Sequence, residues 1–198
     1  MSDTPIWSPS ALQIANARMS EFIASLHARS LVPAHVRGAH ALQRWSVENF
    51  EVFWAEIWRA AAIMADGDGP VEAPWREVLH GRDRMAPPDA VLGPRWFTGT
   101  RLNFAEHLLR RRDAHVAIVA WNELGAQLRI TFAELAQRVA QTAAALRANG
   151  VGVGDRVAGY LPNIPEAVIV MLAASSLGAI WSSCSPDFGT KGVLDRFG

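Results

Sequence analysis

The segment SSCSPDFGTK, residues 182–191, brings together side chains that could bind or transform a small molecule. It offers serine hydroxyls, the Asp187 carboxylate, a glycine and the Lys191 amine. It follows AIWSSC, residues 179–184, which we predict to be a strand. Ligands of α/β sheets bind outside the carboxyl ends of strands, so this segment is the first candidate site. Surface loops use the same residue types, and a plain surface loop is the alternative.

A second candidate is the glycine-rich stretch NGVGVGD, residues 149–155. A dinucleotide-binding loop has the spacing G-x-G-x-x-G, follows a strand and opens a helix. Here the spacing is G-x-G-x-G, and the stretch follows a predicted helix and precedes a predicted strand at residues 156–161. No helix N-terminus would face an anion in this loop. We therefore predict a connection in which Gly150 ends the helix and Asp155 makes a local hydrogen bond.

The remaining side chains that could take part in catalysis or bind a metal form no recognisable site. The six histidines show neither H-x3-H nor HExxH spacing. The segment DGDGP, residues 66–70, begins like a calcium loop, but Val71 stands where that loop requires glycine. Cys184 is the single cysteine, which excludes a disulfide framework, and we predict a buried thiol rather than a nucleophile. We therefore assign no catalytic residue and no metal ligand.

Composition limits the classes of protein that this chain can belong to. Its 198 residues are 50% hydrophobic and carry a formal net charge of zero, which indicates a folded domain with or without an extension. Neither nucleic acid nor a membrane surface is an expected partner. The longest uncharged apolar stretch, residues 167–181, is too short to span a bilayer. With one cysteine and no secretory pattern in MSDTPIWSPS, we expect a cytoplasmic protein.

The first third of the chain has the apolar spacing of helices. One helical stripe comprises Leu12, Ala15, Met19, Phe22 and Leu26. After a loop with Pro33 and Gly38, a second stripe comprises Phe50, Phe53, Trp54, Ile57, Trp58 and Ala61. Ser46 is the predicted N-cap of that second helix. We predict that residues 66–100 form a long ordered loop that is fixed by Trp75, Trp96 and Phe97.

The second half alternates strands and helices. A short helix capped by Asn103 precedes two strands joined by a turn, and Thr131 and Glu134 form a capping box that opens the next helix. After the strand at residues 156–161, Asn163 is the predicted cap of an apolar helix that ends at Gly178. The order β-β-α-β-α-β-α predicts an α/β fold with a parallel sheet. Only about four strands are present, so the predicted sheet is incomplete.

Several of these segments resemble the acetoacetate–CoA ligases, a family of acyl-adenylate-forming enzymes. The matching motifs are SVENFEVFWAEIW, WFTGTRLNFAEHLL and GDRVAGYLPNIPEAVIVMLAASSLGAIWSSCSPDFGTKGVLDRFG. The resemblance implies that residues 1–112 form a helical N-terminal extension and that residues 113–198 form the start of an AMP-binding domain. It thus implies an α/β fold in which the extension precedes the incomplete first parallel-sheet subdomain.

The resemblance also implies a reaction. Members of the family convert a carboxylate and ATP to an acyl-adenylate and pyrophosphate, and the CoA thiol then displaces AMP; magnesium accompanies ATP. The loop of Ser185, Pro186 and Asp187 matches a segment that contributes to the wall of the CoA site. By this resemblance the small-molecule substrates of the complete enzyme are acetoacetate, ATP and CoA.

The chain departs from the family in length. The phosphate-binding loop that ends in lysine, the adenine and ribose motifs, the magnesium-binding acid and the lid lysine do not occur in these 198 residues. Lys191 matches neither of those two family lysines. We therefore expect the isolated chain to be inactive and to bind none of these ligands tightly. A truncated ligase is the first hypothesis. One half of a split ligase, a non-catalytic interaction module and a product of a frameshift or partial sequence are the alternatives.

Overall fold

The computed structural model describes residues 5–84 and 93–198. Helices dominate residues 11–60: α1 (Ala11–Ala15), α2 (Arg18–Ala28), α3 (Gly38–Glu48) and α4 (Phe50–Ala60). Four two-residue strands follow: β1 (Asp66–Gly67), β2 (Leu79–His80), β3 (Arg95–Trp96) and β4 (Thr100–Arg101). β1 pairs with β4, and β2 pairs antiparallel with β3. The long loop predicted for residues 66–100 thus contains short paired strands, and residues 85–92 of it lie outside the described residues.

The predicted cap at Ser46 is wrong. Ser46 lies inside α3, where its hydroxyl donates a hydrogen bond to the carbonyl of Gln43 at 2.8 Å. α4 begins only at Phe50, after Asn49, whose backbone interrupts the helix. The apolar stripe of α4 was correctly predicted in part: Trp58 is buried, whereas Trp54 is 44% exposed.

The first apolar stripe is also only partly buried. Leu26 is fully buried, but Leu12 and Met19 are exposed. The chain leaves the helical path at Asn16 and Ala17, and this break rotates α1 relative to α2 and divides the predicted stripe.

Two clusters hold this N-terminal unit together. α2, α3 and the loop between them bury six apolar side chains: Ile23, Leu26, Val32, Val36, Leu42 and Trp45. The ring of Phe97 packs against Trp58 and Trp75, with ring centroids 4.5 and 5.1 Å away. Together with the contacts of the Trp96 ring with Phe50 and Trp54 of α4, this confirms that Trp75, Trp96 and Phe97 fix the loop. The buried Glu56 carboxylate is paired with the guanidinium groups of Arg29 and Arg59.

The second half contains the predicted order of strands and helices. Its elements are α5 (Phe104–Leu108), β5 (Val116–Asn122), β6 (Gly125–Thr131), α6 (Phe132–Ala148), β7 (Arg156–Tyr160), α7 (Pro165–Ser176), β8 (Ile180–Cys184) and α8 (Gly189–Phe197). β5 and β6 form an antiparallel hairpin, and β7 and β8 pair in parallel. The α/β prediction is confirmed, and in the described residues the parallel sheet has two strands.

The core of this half lies where α6, α7, α5 and the hairpin meet. α6 contributes Leu135, Val139 and Ala143, and α7 contributes Ile169 and Leu172, all of them buried. α7 is apolar on nearly all sides, as expected for a helix that is covered by several neighbours.

Local signals at the helix ends were mostly predicted correctly. Thr131 and Glu134 form the capping box of α6, and Gly150 has a φ of +85°, which suits the residue after a helix. The backbone N–H of Gly152 donates to Asp155 Oδ2 at 2.7 Å, as predicted. The predicted cap at Asn163 is wrong, because Ile164 occupies the N-cap position of α7 without a side-chain hydrogen bond.

The chain folds as two compact units, Met1–Thr100 and Arg101–Gly198. α5 belongs to the second unit and packs on α7. The boundary between domains at residues 112 and 113 stays a prediction.

Candidate functional site

The parallel pairing of β7 and β8 brings two strand ends to the same edge of the sheet. Tyr160, the last residue of β7, lies opposite Cys184, the last residue of β8. Leu161 continues the ladder by donating its backbone N–H to the carbonyl of Cys184 at 3.2 Å. The candidate loop, Ser185 to Phe188, begins directly at this edge, which is the position where α/β sheets bind ligands.

The candidate loop folds as a single 3₁₀ turn between β8 and α8. Ser185 opens the turn: its Oγ accepts a hydrogen bond from the Asp187 backbone N–H at 3.4 Å and donates to Asp187 Oδ2 at 2.9 Å. Phe188 N–H donates to the carbonyl of Ser185 at 3.1 Å. Gly189 ends the turn with a φ of +62°, a region that favours glycine.

Two side chains from outside the turn contact it. Tyr160 Oη donates to the carbonyl of Pro186 at 3.1 Å. Arg196, on α8, donates to the carbonyl of Ser183 at 3.3 Å, and its guanidinium lies over the Phe188 ring, 5.2 Å from the centroid. The turn is thus attached both to β7, through Tyr160, and to α8, through Arg196.

The structure brings the three predicted residues together in this turn. Ser185 is half-buried, and Pro186 and Asp187 are exposed, as is the ring of Phe188. The three residues are therefore accessible to a ligand, while their role stays a prediction. Lys191 lies on the exposed surface of α8.

Cys184 is buried, as predicted. Its side chain is only 2% exposed, and its sulfur lies 3.6 Å from the carbonyl of Ser185. A thiol in this position has no access to a substrate in solution, so it does not qualify as a nucleophile.

Sequence reasoning missed Tyr160 and Arg196. Tyr160 is the only tyrosine in the chain and ends a predicted strand, which was a usable signal. No comparable sequence signal marked Arg196, because arginine supplies 18 of the 19 basic residues and an exposed helical arginine is ordinary in such a sequence.

Other parts of the described chain supply no comparable site. Within residues 5–84 and 93–198, no three His, Cys, Asp or Glu side chains are grouped closely enough to hold a metal ion. A cavity of about 630 Å³ in the first unit is lined by His35, Arg44 and Trp45, among others. The same described residues include no helix with the length and apolar character needed to cross a bilayer.

Comparison with known proteins identifies relatives along the whole chain. Residues 104–196 match the family of AMP-binding enzymes. The chain is 43% identical over 199 residues to the acetoacetyl-CoA synthetase of Gallus gallus, covering 100% of this chain and 28% of that protein. It is 37% identical over 161 residues to a malonamoyl-CoA synthetase of Penicillium aethiopicum, covering 78% of this chain and 21% of the relative.

A solved structure gives the same result in three dimensions. The fold superimposes on acetoacetyl-CoA synthetase from Streptomyces lividans with a TM-score of 0.83 and 41% identity, over 98% of this chain and 28% of that one. The chain thus spans about 28% of the length of these two acetoacetyl-CoA synthetases, from Gallus gallus and Streptomyces lividans, and corresponds to their N-terminal part.

Proposed function

We propose that the chain forms the N-terminal portion of an ATP-dependent acid–CoA ligase, because residues 104–196 match the family of AMP-binding enzymes and the whole chain is similar to acetoacetyl-CoA synthetase. The observation that supports this proposal most strongly is the superposition on the Streptomyces lividans enzyme over 98% of the chain. Both of its units find a counterpart in that structure, because the match extends across the boundary at Thr100.

The proposed reaction has two steps. A carboxylate oxygen of acetoacetate attacks the α-phosphorus of ATP, and pyrophosphate leaves with the electron pair of the broken P–O bond. The thiolate of CoA then attacks the acyl carbon, and AMP leaves, which gives acetoacetyl-CoA. Such steps depend on positioning and on stabilisation of developing charge.

We place the turn of Ser185, Pro186 and Asp187 at the wall of the CoA site. The fit is best with the uncharged arm of CoA. The Asp187 carboxylate would repel the phosphates of the cofactor, whereas the exposed Phe188 ring offers an apolar surface next to backbone polar groups. CoA supplies the thiol that accepts the acyl group; this chain would supply only part of its binding surface.

Neither ATP nor magnesium receives a ligand from this chain in our proposal. Metal-binding clusters are absent from the described residues, and the glycine-rich stretch at residues 150–154 is a helix-to-strand connection. We therefore propose that the 198-residue polypeptide is inactive alone and that other polypeptide segments supply the nucleotide site. A separate partner of a split ligase is one form that those segments could take. We also propose a cytoplasmic location, in keeping with a single, buried thiol.

Acetoacetate is the proposed acid because the relatives that match the whole chain are named for it. The similarity to a malonamoyl-CoA synthetase makes a second short acid with a β-carbonyl group a specific competitor. Both acids carry a carbonyl at the β-carbon and differ in the group beyond it. Comparing the two acids therefore tests which terminal group the enzyme accepts.

A chimera provides the test. Residues 1–198 replace the matching segment of the Streptomyces lividans enzyme, and ATP–pyrophosphate exchange is measured with acetoacetate, malonamate and acetate. We expect acetoacetate-dependent exchange. A control chimera carries the corresponding segment of the Gallus gallus enzyme at the same junction. Exchange in the control without exchange in a folded test chimera would overturn the proposal.

A further inference from the structure

We propose that Tyr160 and Arg196 are positioning residues that together hold the Ser185–Phe188 turn against the end of the parallel sheet. The proposal rests on the proposed function only where it connects this turn with CoA. The contacts themselves are properties of the fold.

Tyr160 fixes the middle of the turn from the neighbouring strand. The carbonyl of Pro186 accepts two hydrogen bonds, from the Tyr160 phenol at 3.1 Å and from the backbone N–H of Gly189. The second bond belongs to the turn itself. The first is the one that ties the turn to β7, because Tyr160 and Pro186 are separated by 26 positions in sequence.

Arg196 contacts residues at both flanks of the turn. Its guanidinium donates to the carbonyl of Ser183, which precedes the turn, and lies over the ring of Phe188, which ends it. A planar guanidinium can donate a hydrogen bond at its edge while it stacks through its face, whereas a lysine ammonium has no planar face to stack on the ring. Arg196 therefore links β8, the turn and α8 in a way that depends on its shape as well as its charge.

The two contacts have a common consequence for the surface of the turn. Tyr160 and Arg196 donate hydrogen bonds to the backbone carbonyls of Pro186 and Ser183. These bonds hold the backbone that carries the exposed Asp187 and Phe188 side chains. A ligand that packs on this surface meets a preformed wall, and a loose turn would have to be ordered at a cost in affinity.

Amide hydrogen exchange of the 198-residue chain is the first test. We expect Tyr160→Phe to increase exchange at Phe188 and Gly189 by about fivefold, the factor that corresponds to one hydrogen bond of ~1 kcal/mol. Arg196→Leu should do the same, and Arg196→Lys should restore little of the protection. The matched control is Arg147→Lys in the last turn of α6, which should leave these amides unchanged. Unchanged exchange in both Tyr160→Phe and Arg196→Leu would overturn the proposal.

The active chimera supplies a measurement that a merely structural role would not affect. We expect Tyr160→Phe and Arg196→Lys to raise the KM for CoA about fivefold, with less than a twofold change in ATP–pyrophosphate exchange, which needs no CoA. Faster amide exchange with an unchanged KM for CoA would support the role of Tyr160 and Arg196 in holding the turn and would contradict the CoA wall. A parallel loss of pyrophosphate exchange would contradict a positioning role. Absence of ATP–pyrophosphate exchange in the chimera without these substitutions would instead contradict the proposed ligase function.

Discussion

The side chain of Asn103 joins two helices that are far apart in sequence. Its Nδ2 donates a hydrogen bond to the carbonyl of Ser175 at 2.9 Å, and its Oδ1 accepts one from the backbone N–H of Glu106 at 3.1 Å. The first bond reaches the last turn of α7, and the second caps α5. One amide group thus fixes both where α5 starts and which helix it packs on.

We expect Asn103→Ala to lower the free energy of unfolding of the second unit by ~1–3 kcal/mol, because it removes a cap and a half-buried hydrogen bond. Urea unfolding followed by far-UV circular dichroism measures the change. The matched control is Asn163→Ala, since Asn163 is exposed and caps no helix; its effect should stay within ~0.5 kcal/mol. Equal effects of the two substitutions would contradict this account of Asn103.

Trp58 should be important for the stability of the first unit. It is 8% exposed and packs on Phe97 and Trp75, so Trp58→Ala should cost ~3–5 kcal/mol through loss of buried area and a residual cavity. Calorimetric unfolding measures the cost. Trp7→Ala is the control within the same unit, because Trp7 is 70% exposed and should contribute almost nothing. A small effect of Trp58→Ala would mean that this aromatic cluster is not part of the core.

The capping box of α6 should make stability depend on acidic pH. Hydrogen bonds from the backbone N–H and then the hydroxyl of Thr131 hold the pKa of Glu134 below its usual value. A lowered pKa in the folded state means that the stabilisation is complete above the pKa of the unfolded chain, near 4.5, and is lost as pH falls through the lower folded value.

Unfolding measured between about pH 6 and pH 3 tests this dependence. Glu134→Gln should be less stable than the parent chain at pH 6, and the difference should shrink at the acidic end. The pKa of the Asp113 carboxyl is also lowered, because Arg111 donates a hydrogen bond to it, but this group contributes equally to both proteins and cancels in the difference. A difference that does not depend on pH would contradict the role of Glu134.

The Cys184 thiol should be unreactive in the folded chain. Because it is 2% exposed, a thiol reagent such as DTNB should label it roughly a hundredfold or more slowly than it labels the urea-unfolded chain, since labelling requires local opening. Cys184→Ala in the chimera should retain pyrophosphate exchange. Rapid labelling together with loss of exchange would restore the nucleophile hypothesis.

The isolated chain should not activate any acid. We expect no ATP–pyrophosphate exchange from the purified 198 residues with magnesium and either acetoacetate or acetate, because the nucleotide-binding motifs of the family do not occur in this sequence. Exchange with acetoacetate would contradict that claim directly, and it would mean that those motifs are dispensable.

The sequence predicted best those features that are local. The capping box at Thr131 and Glu134 and the turn at Gly150 each depend on residues within one helical turn, so their pattern is sufficient. The glycine-rich stretch was also correctly predicted to be a connection, because it follows a helix and precedes a strand.

The failures share a different cause. Ser46 and Asn163 both have the residue type of a cap, but Ser46 lies within α3 and Ile164 takes the cap position of α7. A capping residue is identified by its backbone conformation, which depends on where the preceding segment stops. The contacts of Tyr160 and Arg196 with the candidate turn depend on strand pairing and helix placement, and neither is visible in the spacing of side chains.

The most direct measurement is the complete reaction catalysed by the chimera of residues 1–198 with the remainder of the Streptomyces lividans enzyme. Acetoacetyl-CoA formation from acetoacetate, ATP and CoA is followed together with AMP release. Our account predicts product in a 1:1 ratio with AMP, at a rate within roughly tenfold of the Gallus gallus control chimera, because we propose that this segment supplies scaffold and part of the CoA wall rather than reacting groups. A folded chimera that forms no acetoacetyl-CoA while the control does would contradict the account.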